Sequence, residues 1–137
     1  LAVNAEAIQL GESSMSPEAV RFKIGNRLHI GKSVHSLNSA INAEKSGVDY
    51  LIAGTIFPSN SHPGFPGSGV DLINKITSKV SIPVLGIGGI TSENADSVID
   101  NGAFGVAVIG EIMNDSNVFQ AAKNLINKVQ YCKLNNK

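Results

Sequence analysis

Short apolar runs alternate with amphipathic stretches along the whole chain. A run of four to eight apolar residues bounded by turn residues is typical of a buried strand. The pattern therefore predicts five strands, at residues 7–10, 28–31, 50–57, 84–87 and 105–109.

Each predicted strand leads into a helical pattern. Ser16 before Pro17 is a typical helix start, Ser36 is a second N-cap, and Thr91 opens a further helix that Gly102 ends. Apolar residues spaced three or four apart mark the inward faces of four helices. These residues are Leu37, Ala40 and Ile41; Val70, Ile73 and Ile76; Ala95, Val98 and Ile99; and Phe119, Ala122, Leu125, Ile126 and Val129.

A repeated strand–helix unit predicts a parallel sheet with right-handed crossovers, and the apolar strands predict that both of its faces are covered. Two architectures fit: an open doubly wound sheet, and part of an eight-stranded barrel. In both, catalytic groups lie where strands end and helices begin. Four features follow predicted strands in this way: His35, the loop 58–69, the pair Gly88 and Gly89, and the pair Gly110 and Glu111.

Composition narrows the class of protein. The 137 residues are 42% hydrophobic and 16% charged, which fits one folded domain. Eleven basic residues balance eleven acidic ones without a basic cluster, so we expect no nucleic-acid partner. The lone cysteine, Cys132, forms no internal disulfide, and there is no signal segment or long apolar run, which predicts a cytoplasmic protein without a membrane partner. Because the chain starts at Leu1, we expect a fragment.

The stretch "PVLGIGGITSEN" contains Gly86, Gly88 and Gly89 just before a predicted helix. Glycines let backbone N–H groups approach an anion, and a helix start adds a favourable dipole. Gly110 ends the next strand, and barrels often bind phosphate with the loops after their last two strands. We therefore expect a phosphate site at Gly88, Gly89 and Gly110. The alternative is a tight turn with no ligand.

Four segments in order, "GKSVHSLNSAINAEKSGVDYLIAGTIFP", "GSGVDLI", "SIPVLGIGGIT" and "GAFGVAVIGEI", resemble the thiamine phosphate synthase / TenI family. The resemblance implies an α/β fold, the (β/α)8 barrel, of which this chain is the C-terminal part. Residues 1–137 then form a single partial domain holding strands four to eight. Roughly three βα units would precede it.

The synthase branch of the family resembles this chain less at two loops. Synthases carry "GQED" after the fourth strand, where the last acid helps to bind magnesium, and this chain has Ser14 there. They carry "PTxTKxD" after the sixth strand, with the lysine and threonines on phosphate oxygens. Here Ser59 and Ser61 stand as hydroxyl donors and His62 stands in the lysine position. Magnesium is expected only if the protein is a synthase.

The TenI-type thiazole tautomerases resemble it more closely at these loops. They lack the acidic metal ligand and carry "GRSVHS", which matches "GKSVHS", and residues 64–70 match their sixth loop. The resemblance implies isomerisation of a phosphorylated carboxythiazole to its aromatic tautomer, without metal or cofactor. His35 is then the proton-transfer residue, since histidine titrates near neutral pH, and its acidic partner lies outside this chain. A purely structural His35 is the alternative.

The sequence also predicts the positions of Ser33, Glu111 and His62 relative to the site. Ser33 lies two residues before His35 on the same side of the strand, so it lines the pocket or is an ordinary interior serine. Family members commonly place a serine and a small residue where this chain has Gly110 and Glu111, so the Glu111 carboxylate could weaken an anion site by charge repulsion. The alternative, which we expect, is that its side chain points away from the phosphate. We expect His62 to be a solvated loop residue. The expected ligand is a small phosphorylated thiazole, and homo-oligomer formation is left open.

Three functions compete. The preferred interpretation is a thiazole tautomerase, an isomerase. The second is a thiamine phosphate synthase, a transferase that joins a thiazole phosphate to hydroxymethylpyrimidine diphosphate. The third is a non-catalytic regulatory protein that binds a phosphorylated ligand. A barrel that keeps the glycine turn of Gly88 and Gly89 but lacks its acid would suit this last role.

Overall fold

The computed structural model describes residues 3–135 and contains five strands and six helices. Each strand is followed by one helix, except that two helices follow the last strand. None of the helices in that range combines the length and the apolar character needed to cross a bilayer. The strands are β1 (Ala7–Leu10), β2 (His29–Val34), β3 (Tyr50–Gly54), β4 (Val84–Ile87) and β5 (Gly105–Ala107). The helices are α1 (Pro17–Ile24), α2 (Leu37–Lys45), α3 (Asp71–Thr77), α4 (Ala95–Asp100), α5 (Gly110–Met113) and α6 (Val118–Asn135).

The strands form one parallel sheet in the order β1-β2-β3-β4-β5. Ser33 pairs with Ile52, and Ile52 pairs with Leu85, so these three side chains share one face. Sequential strand order with intervening helices is the arrangement of a (β/α) barrel. The predicted fold class, a partial barrel of five βα units, is confirmed.

The two faces of the sheet differ in burial. Ile30, Val34, Leu51, Ala53 and Val84 are each at most 2% exposed in the layer between the strands and the helices. The opposite face is only partly buried, and its side chains line an open cavity. The expectation that both faces are covered was therefore wrong for the described residues, because their helices pack on one side of the sheet only.

Strand lengths differ from the prediction in three places. β2 continues to Val34 because Ser33 and Val34 pair with Ile52 and Ala53 of β3. Lys32 within this extension donates to the carbonyl oxygen of Gly11 at 2.6 Å. β3 ends at Gly54, and the next residues turn toward β4, where Ile56 N–H donates to the Ile87 carbonyl oxygen. β5 ends at Ala107 because α5 follows almost at once.

Two of the three predicted helix starts are confirmed. The Ser16 hydroxyl accepts from Ala19 N–H at 3.3 Å, and Ser36 and Ser39 form a reciprocal capping box. The start at Thr91 is four residues early, because Thr91 caps the turn that leads into the helix: its hydroxyl accepts from Glu93 N–H at 3.2 Å, its carbonyl oxygen accepts from Ala95 N–H, and Asn94 Oδ1 accepts from its own N–H at 2.9 Å. α4 therefore begins at Ala95.

The inward face of α6 is rotated from the predicted one. Phe119 and Ile126 are 73% and 55% exposed, whereas Ala121, Leu125 and Cys132 are buried. An ion pair of 2.8 Å between Lys128 and Asp96 joins α6 to α4. The face is set mainly by the packing of Leu125 and Cys132 into the core, since an ion pair at a partly exposed site contributes little.

A carboxylate joins α1 to the amino ends of β2 and β3. Asp49 Oδ2 accepts from Ile30 N–H and from the Arg21 guanidinium, each at 2.6 Å. Burial acts to raise the pKa of the Asp49 carboxyl, but the Ile30 N–H and Arg21 outweigh it and hold this pKa below its ordinary value of 3.8. The ionised form therefore stabilises the fold.

We expect Asp49→Asn to lower the free energy of unfolding by about 1–2 kcal/mol near neutral pH, since a charged acceptor is lost at a site 38% exposed. A lowered pKa adds stability above the unfolded value, and this is lost as the pH falls through the folded value. The difference between the two proteins should therefore vanish in acid. Urea denaturation at several pH values measures it.

The matched control is Glu6→Gln, which removes an exposed carboxylate that accepts no hydrogen bond within the described part of the chain. It should leave stability unchanged. A difference for Asp49→Asn that is as large in acid as near neutral pH would contradict the assigned role of the ionised carboxylate.

Candidate active site

A cavity of about 830 Å³ lies at the carboxyl ends of the strands, lined by residues from the loops that follow all five. Parallel strands bring these loops to one edge of the sheet. Every residue that the sequence singled out for the site lines this cavity. They are His35, Ser33, Ser59, Ser61, Gly88, Gly89 and Gly110. Their shared position agrees with the sequence analysis, and their roles stay predictions.

His35 follows β2 directly, and one ring nitrogen is hydrogen-bonded to the end of the neighbouring strand β3. Nδ1 lies 2.6 Å from the carbonyl oxygen of Gly54, which can only accept, so Nδ1 carries a proton in this contact. Nε2 then faces the cavity and is the nitrogen available to a ligand. The ring is half-exposed, with 51% of the side chain accessible. This geometry suits a group that gives or takes a proton at Nε2.

An acid lies beside His35 within the chain. Glu12 Oε2, on the loop after β1, is 4.0 Å from His35 Nε2, and its side chain is 84% exposed. The sequence analysis placed the acidic partner of His35 outside this chain. "GESS" follows a predicted strand, so Glu12 could have been found by asking which acids share the carboxyl edge with His35.

Ser33 lies deeper in the cavity. Its hydroxyl accepts from the Gln9 side-chain amide at 3.1 Å, across the β1–β2 pair. The shared side of Ser33 and His35 follows the alternation of the strand, as expected. Gln9 was not singled out from the sequence, since a lone polar residue in an apolar strand gives no chemical signal by itself.

The loop after β3 carries two polar groups into the cavity. Thr55 is buried, and its hydroxyl lies 3.4 Å from His62 Nδ1. His62 is otherwise exposed on this loop, as expected. The Ser59 hydroxyl oxygen is buried and has no hydrogen-bond partner among the described residues. A buried hydroxyl without a partner is costly, and a ligand oxygen would satisfy it.

Gly88 and Gly89 pack against this loop without room for a side chain. They have φ values of 98° and 62°. A Cβ at Gly88 would meet Thr55, and one at Gly89 would meet the Pro58 carbonyl oxygen. The glycines are therefore required by a close backbone approach, which supports the tight-turn alternative, while both still line the cavity.

Glu111 does not point away, contrary to expectation. Its Oε1 accepts from Ser92 N–H at 2.8 Å and so joins the loop after β5 to the loop after β4. The helix dipole expected at the phosphate site is also absent there, because α4 starts at Ala95 and has only six residues. A ligand phosphate would have to rely on individual N–H groups and hydroxyls.

The groups present do not fit the magnesium site that the resemblance implies for a synthase. The Ser14 hydroxyl accepts from Gly11 N–H at 2.9 Å, and the ammonium group of Lys32 binds the Gly11 carbonyl oxygen, so a cation already occupies this loop. Magnesium prefers carboxylate oxygens in octahedral geometry. Within residues 3–135 no cluster of three or more His, Cys, Asp or Glu side chains could hold a metal.

A comparison with protein families decides the identity of the chain. Residues 1–112 match the family model described as "Thiamine monophosphate synthase". The chain belongs to this family. The resemblance stated from the sequence motifs is confirmed, and the cavity of this family member lies at the edge of the sheet that carries active sites in barrels.

Curated relatives of this family member carry the name thiamine-phosphate synthase. The Pyrococcus furiosus protein is 42% identical over 91% of the chain, and the Ruminiclostridium cellulolyticum protein is 36% identical over 92%. The chain spans 60% of the length of each. A solved structure, "Thiamine phosphate pyrophosphorylase from Pyrococcus furiosus", superposes with a TM-score of 0.87 at 40% identity, over 96% of this chain and 62% of that one.

These relatives overturn the preferred function. The interpretation as a thiazole tautomerase, and with it the isomerase class, was wrong, because relatives at 36–42% identity are named for the synthase. Two short loops, at Ser14 and at residues 58–64, were given more weight than the rest of the chain. Thiamine biosynthesis and the synthase family are supported, whereas tautomerase chemistry is not.

Gly89→Ala tests the close approach of the glycine turn to Pro58. A residue with a Cβ at positive φ costs about 1–2 kcal/mol, and overlap with a backbone oxygen adds about 1–3 kcal/mol. We expect a loss of about 2–5 kcal/mol in the free energy of unfolding, measured by urea denaturation.

Gly47→Ala is the matched control, since Gly47 has a φ of 79° and open space where its Cβ would be. Gly47→Ala should lower the free energy of unfolding only by the cost of a Cβ at positive φ. Equal losses in the two variants would contradict the packing of Gly89 against the loop after β3.

Proposed function

We propose that the protein is a thiamine-phosphate synthase, a transferase that joins a phosphorylated thiazole to hydroxymethylpyrimidine diphosphate. The observation that carries this proposal is the 42% identity with the Pyrococcus furiosus protein of that name, which extends over 91% of the chain. The cavity described above includes loops from all five strands within this matched region. The whole reaction is a proposal, since the chain spans 60% of that relative.

The chemistry is a substitution without redox change. The thiazole ring nitrogen supplies the electron pair of the new C–N bond. The C–O bond to the diphosphate breaks, and the diphosphate leaves with the electron pair of that C–O bond. Such a reaction needs two substrates held in line and a site that stabilises the departing anion.

Neutral donors are proposed to bind the phosphate groups. Of the described residues that line the cavity, none is lysine or arginine. The donors proposed for the substrate are the Ser59 and Ser61 hydroxyls and the backbone N–H groups of Gly88, Gly89 and Gly110. The unpartnered, buried Ser59 oxygen supports this assignment. Ser33 is proposed to line the inner end of the same site, where it contacts Gln9.

His35 is proposed to stabilise the leaving diphosphate from Nε2. The Gly54 carbonyl oxygen holds Nδ1, so a proton on Nε2 is directed into the cavity. In the protonated ring this N–H would donate to a diphosphate oxygen as negative charge develops there. Glu12, 4.0 Å away, would pair with the same charged ring before substrate arrives. No step is assigned to magnesium, because the residues present do not fit it.

Product formation tests the proposal directly. We expect the protein to form thiamine phosphate from the thiazole phosphate and the pyrimidine diphosphate, with one diphosphate released for each product molecule. Chromatography of the product and an enzyme-coupled diphosphate assay measure the two. Binding of both substrates without either product would overturn the synthase and would favour the non-catalytic interpretation.

His35→Asn should lower kcat by about 100-fold or more, the usual contribution of a proton-transferring or charge-stabilising histidine. The asparagine amide can still donate to the Gly54 carbonyl oxygen but cannot carry charge. KM should change much less. Steady-state kinetics with both substrates measures the two constants.

His29→Asn is the matched control, because His29 lies at the opposite end of the same strand and its side chain is 73% exposed. It should keep full activity. An unchanged kcat for His35→Asn would show that the role of His35 is structural.

A further inference from the structure

Glu111 occupies the position where the two loops of the expected phosphate site meet. Gly88 and Gly89 belong to the loop after β4, and Gly110 begins α5 after β5. The Glu111 carboxylate crosses from α5 and accepts from Ser92 N–H at 2.8 Å. A carboxylate is itself an oxyanion, so the N–H group that donates to it is also suited to donate to a phosphate oxygen.

The neighbouring N–H group is not free for a ligand. Thr91 N–H is held by Asn94 Oδ1 at 2.9 Å, and Asn94 in turn donates to the Gly89 carbonyl oxygen. Ser92 N–H is therefore the donor on this loop that becomes available once Glu111 moves. The buried, unpartnered Ser59 oxygen lines the same cavity and is an independent sign that an oxygen-rich ligand belongs there.

Charge makes simultaneous occupancy unfavourable. Glu111 and Glu12 are the carboxylates that line the cavity, and no lysine or arginine among the described lining residues offsets them. The nearby Lys32 ammonium group is engaged by the carbonyl oxygens of Gly11 and Glu12. A phosphate monoester carries between one and two negative charges near neutral pH and would be repelled by Glu111 at close range.

We propose that Glu111 is an internal competitor for phosphate. Its carboxylate holds Ser92 N–H in the free protein, and a phosphorylated ligand binds when the side chain moves aside. Glu111 lies in the first turn of the four-residue α5 and is only partly buried, so its side chain can rotate without disturbing the sheet. The proposal rests on the proposed function for the statement that the ligand is phosphorylated.

The competitor would lower the affinity for free phosphate and for a phosphorylated substrate by the same factor, because both must break the Glu111–Ser92 hydrogen bond. A whole substrate has further contacts with the inner cavity and can still bind, whereas free phosphate has no other contacts with which to offset that loss.

The test measures the affinity for inorganic phosphate by titration calorimetry near neutral pH. Glu111→Ala removes the competitor, and we expect binding about ten- to a hundredfold tighter than in the unmodified protein, the range expected for a hydrogen bond to a charged group. Glu111→Gln keeps the size and the acceptor oxygen but not the charge, so its affinity should lie between the two. Circular dichroism checks that each variant is folded.

Glu93→Gln is the matched control. Glu93 is exposed on the same loop, and its carboxylate accepts no hydrogen bond in the described part of the chain. Its removal changes net charge equally and should change phosphate affinity by less than about twofold, because exposed charges are screened. Equal effects of Glu93→Gln and Glu111→Ala would overturn the proposal, as would unchanged, weaker or undetectable phosphate binding in Glu111→Ala.

The synthase assay separates this proposal from the proposed function. Tighter phosphate binding in Glu111→Ala with no thiamine phosphate formed by the unmodified protein would support the competitor and reject the synthase. Product formation with unchanged phosphate affinity in Glu111→Ala would reject the competitor and leave the synthase standing.

Discussion

The parallel pairing of the five strands is the constraint on which the site depends. Because every strand runs in the same direction, the loops that follow them all open on one edge of the sheet. His35, Ser59 and Gly89 are far apart along the chain and line one cavity for this reason alone. The apolar layer around Ile30 and Leu51 holds the strands in register, so its packing is also what positions the polar residues above it.

The parts of the fold that follow from local chemistry could be predicted from the sequence. Apolar runs mark buried strands whatever their neighbours, and Ser16 and Ser36 cap helices through contacts within four residues. Thr91 caps the turn ahead of α4 instead of the helix itself, since its carbonyl oxygen accepts from Ala95 N–H and Asn94 Oδ1 accepts from its N–H. The face of α6 depends on how Leu125 and Cys132 pack against distant parts of the chain, which no local pattern encodes.

The same distinction between local contacts and contacts between distant residues applies to the site. The carboxyl-edge rule was enough to gather the predicted residues in one cavity. It did not give side-chain directions, so the contact of Glu111 with Ser92 and the approach of Glu12 to His35 were missed. The preferred function was wrong for a different reason, and the comparisons favour the synthase that stood as the second interpretation. Two loops that differ from the synthase pattern were weighted above a chain-wide similarity, and loops are the part of a fold that varies most between relatives.

The charge of the cavity bears on how this family member would handle anionic ligands. Its described lining offers two histidines, two glutamates, hydroxyls and backbone N–H groups, without lysine or arginine. Neutral donors fix the orientation of a phosphate but add little long-range attraction, whereas lysine and arginine add both. Affinity must then depend on close fit, such as the packing of Gly88 and Gly89 against Thr55 and Pro58. The tight glycine turn and a phosphate role for the same residues are therefore compatible, because a site without permanent positive charge needs the closest backbone approach.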